Sequence, residues 1–188
     1  MCVARVATLL GAGDEGCPRP AAGGVTRPAY NRAWMATAPK TWILTGSPEN
    51  FEATREHGFT LIGMKERRRR MAEEMEPGDR IIFYLTQVGR FAGSVRITSE
   101  MFEDREPVWP GKPGKPDPYP WRLETTPEVV LSDHEQLPAE EVKDELEHVR
   151  KWPPEHWKLA FQGQLRTISD ADAELLLERM RAASGVSA

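Results

Sequence analysis

The 188-residue sequence predicts an α+β domain built on a mixed, curved sheet or small open barrel flanked by helices. Three observations point there. β-rich runs outnumber helical ones. The two kinds do not alternate strictly, as a doubly wound parallel sheet would require. The central runs, "DRIIFYLT" and "RFAGSVRITS", are joined by little more than "QVG", a hairpin connection.

The elements follow from residue 41. "TWILT" is a short apolar strand, and "SPENF" starts a helix with Ser47 as N-cap, Pro48 at the first helical position and Glu49 against the positive end of the dipole. "GFTLIG" is a second apolar run. Met64 to Met75 reads as a helix ended by Pro77 and Gly78, because Met64, Met71 and Met75 share one stripe at 100° per residue. In the hairpin, Gly93 marks a bulge or a close backbone approach. "WRLETTPEVVL" and "KLAFQGQLRTIS" read as further strands, and Val142, Leu146 and Val149 have helical spacing between them. The last helix is capped by Ser169 with Asp170 and Asp172 in its first turn, and turns Leu176, Leu177 and Met180 to the core. Trp42, Phe83, Phe91, Trp121 and Trp157 read as core residues, while Tyr84, alternating with Phe83, can face a cleft.

Residues 1–39 differ in texture. They are rich in Gly, Pro and Ala without hydrophobic periodicity and hold both cysteines, Cys2 and Cys17. A disordered tail is expected there and a domain over 40–188, with Met35 as an alternative start. The cysteines leave the rest of the chain without a disulfide or a thiolate metal site, and no apolar run reaches the length of a membrane span, so a cytoplasmic protein without membrane contact is expected.

Lys and Arg total 25 against 29 Asp and Glu, a formal charge of −4. Residues 1–39 hold four basic and two acidic residues, so the domain is more acidic than the whole. That excludes indiscriminate electrostatic binding of nucleic acid and confines any such contact to a local patch. "KERRRRMAEEME" is the candidate patch. Arg69 and Arg70 point away from the methionine stripe with Glu66, Glu73 and Glu74 three or four positions off, an arrangement that makes a solvated face. Arg67 and Arg68 lie about 60° and about 40° to either side of Met64, where an arginine either covers apolar surface with its stem or reaches into a neighbouring cleft.

The ordered motifs "TWILTGSPENF", "HGFTLIGMKER", "EPVWP", "YPWRLETTPEVVL" and "WKLAFQGQLRTIS" resemble the EVE domain family of the PUA-like superfamily, relatives of the YTH domains, over about residues 41 to 183. The resemblance implies a mixed sheet curled into a small barrel, and a pocket that binds a modified base of DNA or RNA without a cofactor. In YTH relatives that base is a methylated adenine held between aromatic side chains; for EVE domains it implies modified cytosine or a related base, in bacteria often beside a restriction or nuclease module, which here would be encoded separately. Carried onto this chain, the match places Ser47, Asn50 and Phe51 at the mouth of the first strand, with Phe59, Lys65, Arg67 and Arg68 across from them. YTH relatives carry a cage tryptophan in that second segment; the nearest aromatic here is Phe59, slightly offset. "EPVWP" and "YPWR" add Trp109 and Tyr119 as ligand-binding residues.

Such residue types suit the task. Aromatic faces stack on a flipped or single-stranded base at about 1 to 3 kcal/mol each, while Asn50 and Ser47 donate and accept at its edge. Burying one added methyl gives only about 0.8 kcal/mol, so selectivity must combine shape with polar fit. In "EPVWPGKPGKPDPYPW", Lys112 and Lys115 alternate with aromatics on a stiff backbone that can hold phosphates near a stacking surface. The four histidines show no metal-ligand spacing, and no GxSxG, Walker or GxGxxG pattern occurs. A non-catalytic reader is the expectation. A small hydrolase of the related ASCH type acting on a modified nucleoside, with Lys65 and Glu66 as acid and base, and a protein-interaction module stand as alternatives.

Overall fold

The computed structural model describes residues 38–185 apart from 112, 113 and 164. The expected disordered tail, Met35, both cysteines and Lys112 lie outside the described residues.

The chain runs β1 (Thr41–Gly46), α1 (Pro48–Glu56), β2 (Leu61–Met64), a 3-10 turn (Glu66–Arg68), α2 (Arg69–Glu73), β3 (Arg80–Leu85), β4 (Arg90–Ile97), β5 (Phe102–Glu103), β6 (Trp121–Val130) and β7 (Leu137–Pro138). Then come α3 (Ala139–Val142), α4 (Glu147–Arg150), a 3-10 segment (Pro154–Phe161), β8 (Leu165–Ile168) and α5 (Asp170–Ala183). The sheet order is β2-β6-β4-β3-β1-β8, with β5 on β6 and β7 on β4. β1 and β3 are parallel, from Thr41 opposite Arg80 to Gly46 opposite Leu85, and the other pairs are antiparallel. β6 pairs with β2 through its first four residues and with β4 from Thr125 onward, so a single strand carries the sheet around its bend. The result is a mixed sheet curled into a half-barrel and flanked by helices.

Local chemistry accounts for the elements. Ser47 and Ser169 accept from the backbone N–H of Asn50 and Asp172, 3.3 Å each, and so cap α1 and α5. At the centre of the sheet Phe83 faces Gly93 and Tyr84 faces Phe91, leaving Ala92 as the extra residue of a bulge. Gly93 meets both expectations for it, since a Cβ there would lie 2.5 Å from the Val129 carbonyl.

Both faces of the sheet are buried. Ile81, Phe83 and Leu85 enter one core with Trp42, Phe51, Ile62 and Trp121; Ile82 and Tyr84 enter another with Phe91, Trp157, Phe161, Leu176 and Leu177. Tyr84 therefore faces a second core rather than a cleft: its ring stacks on Phe161 at 4.4 Å, and burial raises its hydroxyl above the usual tyrosine pKa. Buried Asp79 accepts from Trp42 Nε1 (2.9 Å) and Lys40 N (2.8 Å), tying the turn before β3 to β1. Across β3, β4 and β6, Glu128 takes Arg80 through both carboxylate oxygens (2.6 and 2.9 Å) and Arg96 at 2.8 Å.

Three elements differ from the sequence reading. The single helix expected from Met64 to Met75 is the end of β2, a 3-10 turn and a short α2, broken at Arg68 (φ −109°). Four guanidiniums at a helix start oppose the positive end of its dipole. The methionine stripe nevertheless packs into one core. "KLAF" is helical rather than a strand: Pro154 occupies a first-turn position, and Trp157, Ala160 and Phe161 bury one helical face. Gly163 (φ +96°) then turns the chain into β8. Val142, Leu146 and Val149 share a core but not one helix, because buried Asp172 accepts from Glu147 N and His148 N at 2.8 Å each and starts α4 anew.

Candidate functional site

A cavity of about 380 Å³ opens at the carboxyl ends of the parallel strands β1 and β3, bounded by α1, β2 and the loop between β5 and β6. Phe51 and Phe83, edge to face at 5.4 Å, form part of its lining with Ile62. Trp109 and Tyr119, at 5.5 Å and again edge to face, form another wall. Ser47, Asn50, Thr45, Thr54 and Thr86 contribute polar groups, and Lys65 and Arg67 contribute charge. Among the described residues no Asp, Glu, His or Cys lines the cavity. An acidic domain thus has a cavity lined by positive charge.

The Trp109–Tyr119 wall is positioned by residues behind it. Gly63 of β2 leaves the space it fills: a Cβ there would lie 2.4 Å from the Trp109 ring and 2.7 Å from Tyr119 Cβ. Trp109 Nε1 donates to Thr54 Oγ1 at 2.9 Å, and Asn50 Nδ2 donates to the Tyr119 hydroxyl at 2.6 Å. Asp117, with its side chain fully buried, accepts from Val108 N (2.8 Å) and Trp109 N (3.0 Å) through one oxygen and from Tyr119 N (2.7 Å) through the other. Arg122, also buried, lies 3.7 Å from Asp117, pairs with Asp104 and the Glu106 carbonyl, and stands 5.4 Å from the Trp109 ring. Lys65 Nζ lies 5.4 Å from the Tyr119 ring.

Of the residues singled out in the sequence, Ser47, Asn50, Phe51, Lys65, Arg67, Trp109 and Tyr119 converge on the cavity. Phe59 does not. It adopts φ +56° where α1 ends and is buried between Phe51 (5.3 Å) and Phe83 (6.0 Å), behind the lining. Arg68 is not in the lining either; its Nη1 reaches Met71 Sδ at 3.6 Å. Arg69 pairs with Glu73 at 2.9 Å, as its spacing implies, and also covers the buried Trp121 ring at 4.3 Å. Glu66, the acid of the hydrolase alternative, stands outside the cavity and accepts from Trp121 Nε1 at 3.1 Å. Lys115 is exposed on its loop.

Gly63, Thr54, Phe83, Asp117 and Arg122 escaped sequence reasoning as parts of the site. Gly63 carried a signal, a glycine inside a strand pattern, which marks close approach. Among the described residues no group of three or more His, Cys, Asp or Glu is placed to hold a metal, and no helix is long and apolar enough to cross a membrane.

The curled mixed sheet with its cavity at the strand ends defines a domain of the fold that YTH domains also adopt. Within that class, the chain belongs to the EVE domain family, whose model matches residues 40–179. The UPF0310 protein PH1033 of Pyrococcus horikoshii is 21% identical over 145 residues, 72% of this chain and 94% of that protein. The YTH domain of Zygosaccharomyces rouxii MRB1 protein, in complex with N6-methyladenosine RNA, is similar with a TM-score of 0.56 at 14% identity, over 77% of this chain and 88% of its own. The Pho92 YTH domain in complex with m6A has a TM-score of 0.57 at 12% identity, over 76% and 86%. At these identities the likeness to YTH domains is one of fold.

Proposed function

We propose that this domain is a non-catalytic reader that takes one modified base of a DNA or RNA strand into the cavity between Trp109, Tyr119, Phe51 and Phe83. The observation that carries the reading is an aromatic cavity with Asn50 and Ser47 on its polar side and Lys65 and Arg67 as its charges, in a domain with an excess of acids. Aromatic faces bind any base by stacking, polar groups select its edge, and the two cations attract the phosphates that flank it. The YTH domains of like fold in complex with methylated adenosine support the same use. Methylated or hydroxymethylated cytosine, or a related base, is the favoured class, and a separately encoded nuclease would act on what is recognised.

The hydrolase alternative has less support, because Lys65 has no carboxylate opposite it in the cavity and Glu66 is held by Trp121. Calorimetric titration with short DNA and RNA strands, each with an unmodified, methylated or hydroxymethylated central base, tests the reading. Micromolar or tighter preference for one modified base is expected. No binding across the panel, or conversion of a modified nucleoside, overturns it.

A further inference from the structure

Next to the aromatic cavity lies a group of charges that base stacking leaves unused. Gly163, at the cavity's edge, has two guanidiniums directed at it: a side chain beginning there would meet Arg68 Nη2 at 3.5 Å, Arg166 Nη2 at 3.8 Å and Arg166 Nε at 3.9 Å. The arginines come from distant segments, the 3-10 turn before α2 and strand β8. Among the described residues neither is paired with a carboxylate. Among the described residues Arg68 reaches the Met71 sulfur, and its Nε is buried without a hydrogen-bond partner. Arg166 donates from Nε (3.1 Å) and Nη2 (3.0 Å) to the Gln162 carbonyl, an uncharged acceptor. Arg67, adjacent in sequence, lines the cavity itself.

Like charges brought together without a counter-charge repel, and a buried N–H without an acceptor costs free energy. An anion between the two guanidiniums relieves the repulsion. A phosphodiester matches the geometry: one negative charge, two unesterified oxygens, and a link to the next base. Glycine at 163 meets the φ of +96° that this turn requires and adds no side chain at the edge the two guanidiniums face.

We propose that Arg68 and Arg166 form a phosphate clamp across Gly163, so that the ligand is a strand with one backbone phosphate in the clamp and its modified base in the neighbouring cavity. The clamp rests on the nucleic-acid reading of that cavity. It predicts that a nucleoside binds through the cavity alone and that strand binding depends more steeply on salt.

The test combines fluorescence anisotropy of labelled ten-nucleotide single-stranded RNA and DNA, each with an unmodified, methylated or hydroxymethylated central base, across a KCl series with calorimetry of the modified nucleosides. The full chain is compared with Arg166→Glu and with Arg68→Gln/Arg166→Gln. The slope of log K against log [KCl] is expected to become shallower by about 0.7, the share of one phosphate, in the double variant. Arg166→Glu, at an exposed strand position outside the cavity lining, is expected to move strand affinity in the same direction while leaving nucleoside affinity unchanged; it decides the question if the double variant does not fold. Unchanged slopes in folded variants overturn the clamp. Nucleoside binding without any strand binding overturns the clamp and leaves the base reading standing. Clamp-dependent strand binding with no preference for a modified base supports the clamp and refutes the base reading.

Discussion

Replacing Asp117 with Asn probes what holds the aromatic wall in place. The carboxylate has a fully buried side chain, accepts three backbone N–H groups at 2.7 to 3.0 Å and sits 3.7 Å from the buried Arg122 guanidinium. Asparagine has the same shape but only one acceptor oxygen. In its better orientation that oxygen serves Val108 and Trp109, and the amide NH₂ then opposes Tyr119 N–H. One charge-assisted hydrogen bond is lost and one buried donor is left unpaired, together about 3 kcal/mol. For a domain of this size that lowers the Tm by about 6 to 12 °C. Because Tyr119 hangs from the lost bond and Trp109 from one that no longer has a charged acceptor, stacking weakens as well, by on the order of 1 kcal/mol or roughly fivefold in Kd for the preferred strand. Calorimetric melting and the strand titration measure the two effects separately. A variant that melts within about 2 °C of the wild type and binds unchanged refutes the idea that Asp117 organises the wall.

Gly63→Ala places a methyl 2.4 Å from the Trp109 ring, so the wall must move; overpacking of about 1 to 3 kcal/mol and a tenfold or greater loss of strand affinity are expected in melting and titration. Trp109→Ala is expected to cost about 1 to 3 kcal/mol in binding. Phe59→Ala, behind the lining, costs about 3 to 5 kcal/mol of stability and leaves affinity within twofold wherever the variant is folded; the opposite ranking in the titration would return Phe59 to the ligand's path. Hydrogen bonding from Arg80, and then from Arg96, holds Glu128 at a pKa of about 2, below the ordinary 4.5. A depressed carboxylate stabilises the fold above its unfolded pKa, and that share is lost as pH falls from about 4.5 toward 2; acid melting of Glu128→Gln should show a flatter decline over that window.

The legible parts of the fold were those set by local chemistry. Ser47 and Ser169 as caps, the hairpin and the Gly93 bulge depend on a few adjacent residues, and each is where the sequence puts it. Two-sided burial was harder to read, because "IIFYL" is apolar whichever face is covered, and Tyr84 looked like the residue to spare. "KLAF" before β8 was misread for a related reason: a short apolar run does not declare its period, and the pair Pro153–Pro154 held the evidence for a helical turn. At the site, Ser47, Asn50 and Phe51 lie at the junction of one strand and one helix and were visible together. Gly63 acts on Trp109 and Tyr119 across 46 and 56 positions and through empty space, while Asp117 and Arg122 reach partners 2 to 18 positions away in an irregular loop with no period to announce them.

The segment bearing Trp109 and Tyr119 leaves and re-enters the sheet at neighbouring points, since Phe102 pairs with Arg122 and Glu103 with Trp121. Between those anchors, Asp117 orders the segment largely from within. It is therefore a cassette: its ends stay fixed while its interior can diverge, and the strands beneath need not change with it. A protein engineer could exchange residues 104 to 120 as one unit to retarget the domain, much as antibody loops are exchanged on a constant framework. The acceptor scaffold would need a glycine under the tryptophan and an arginine at the returning strand.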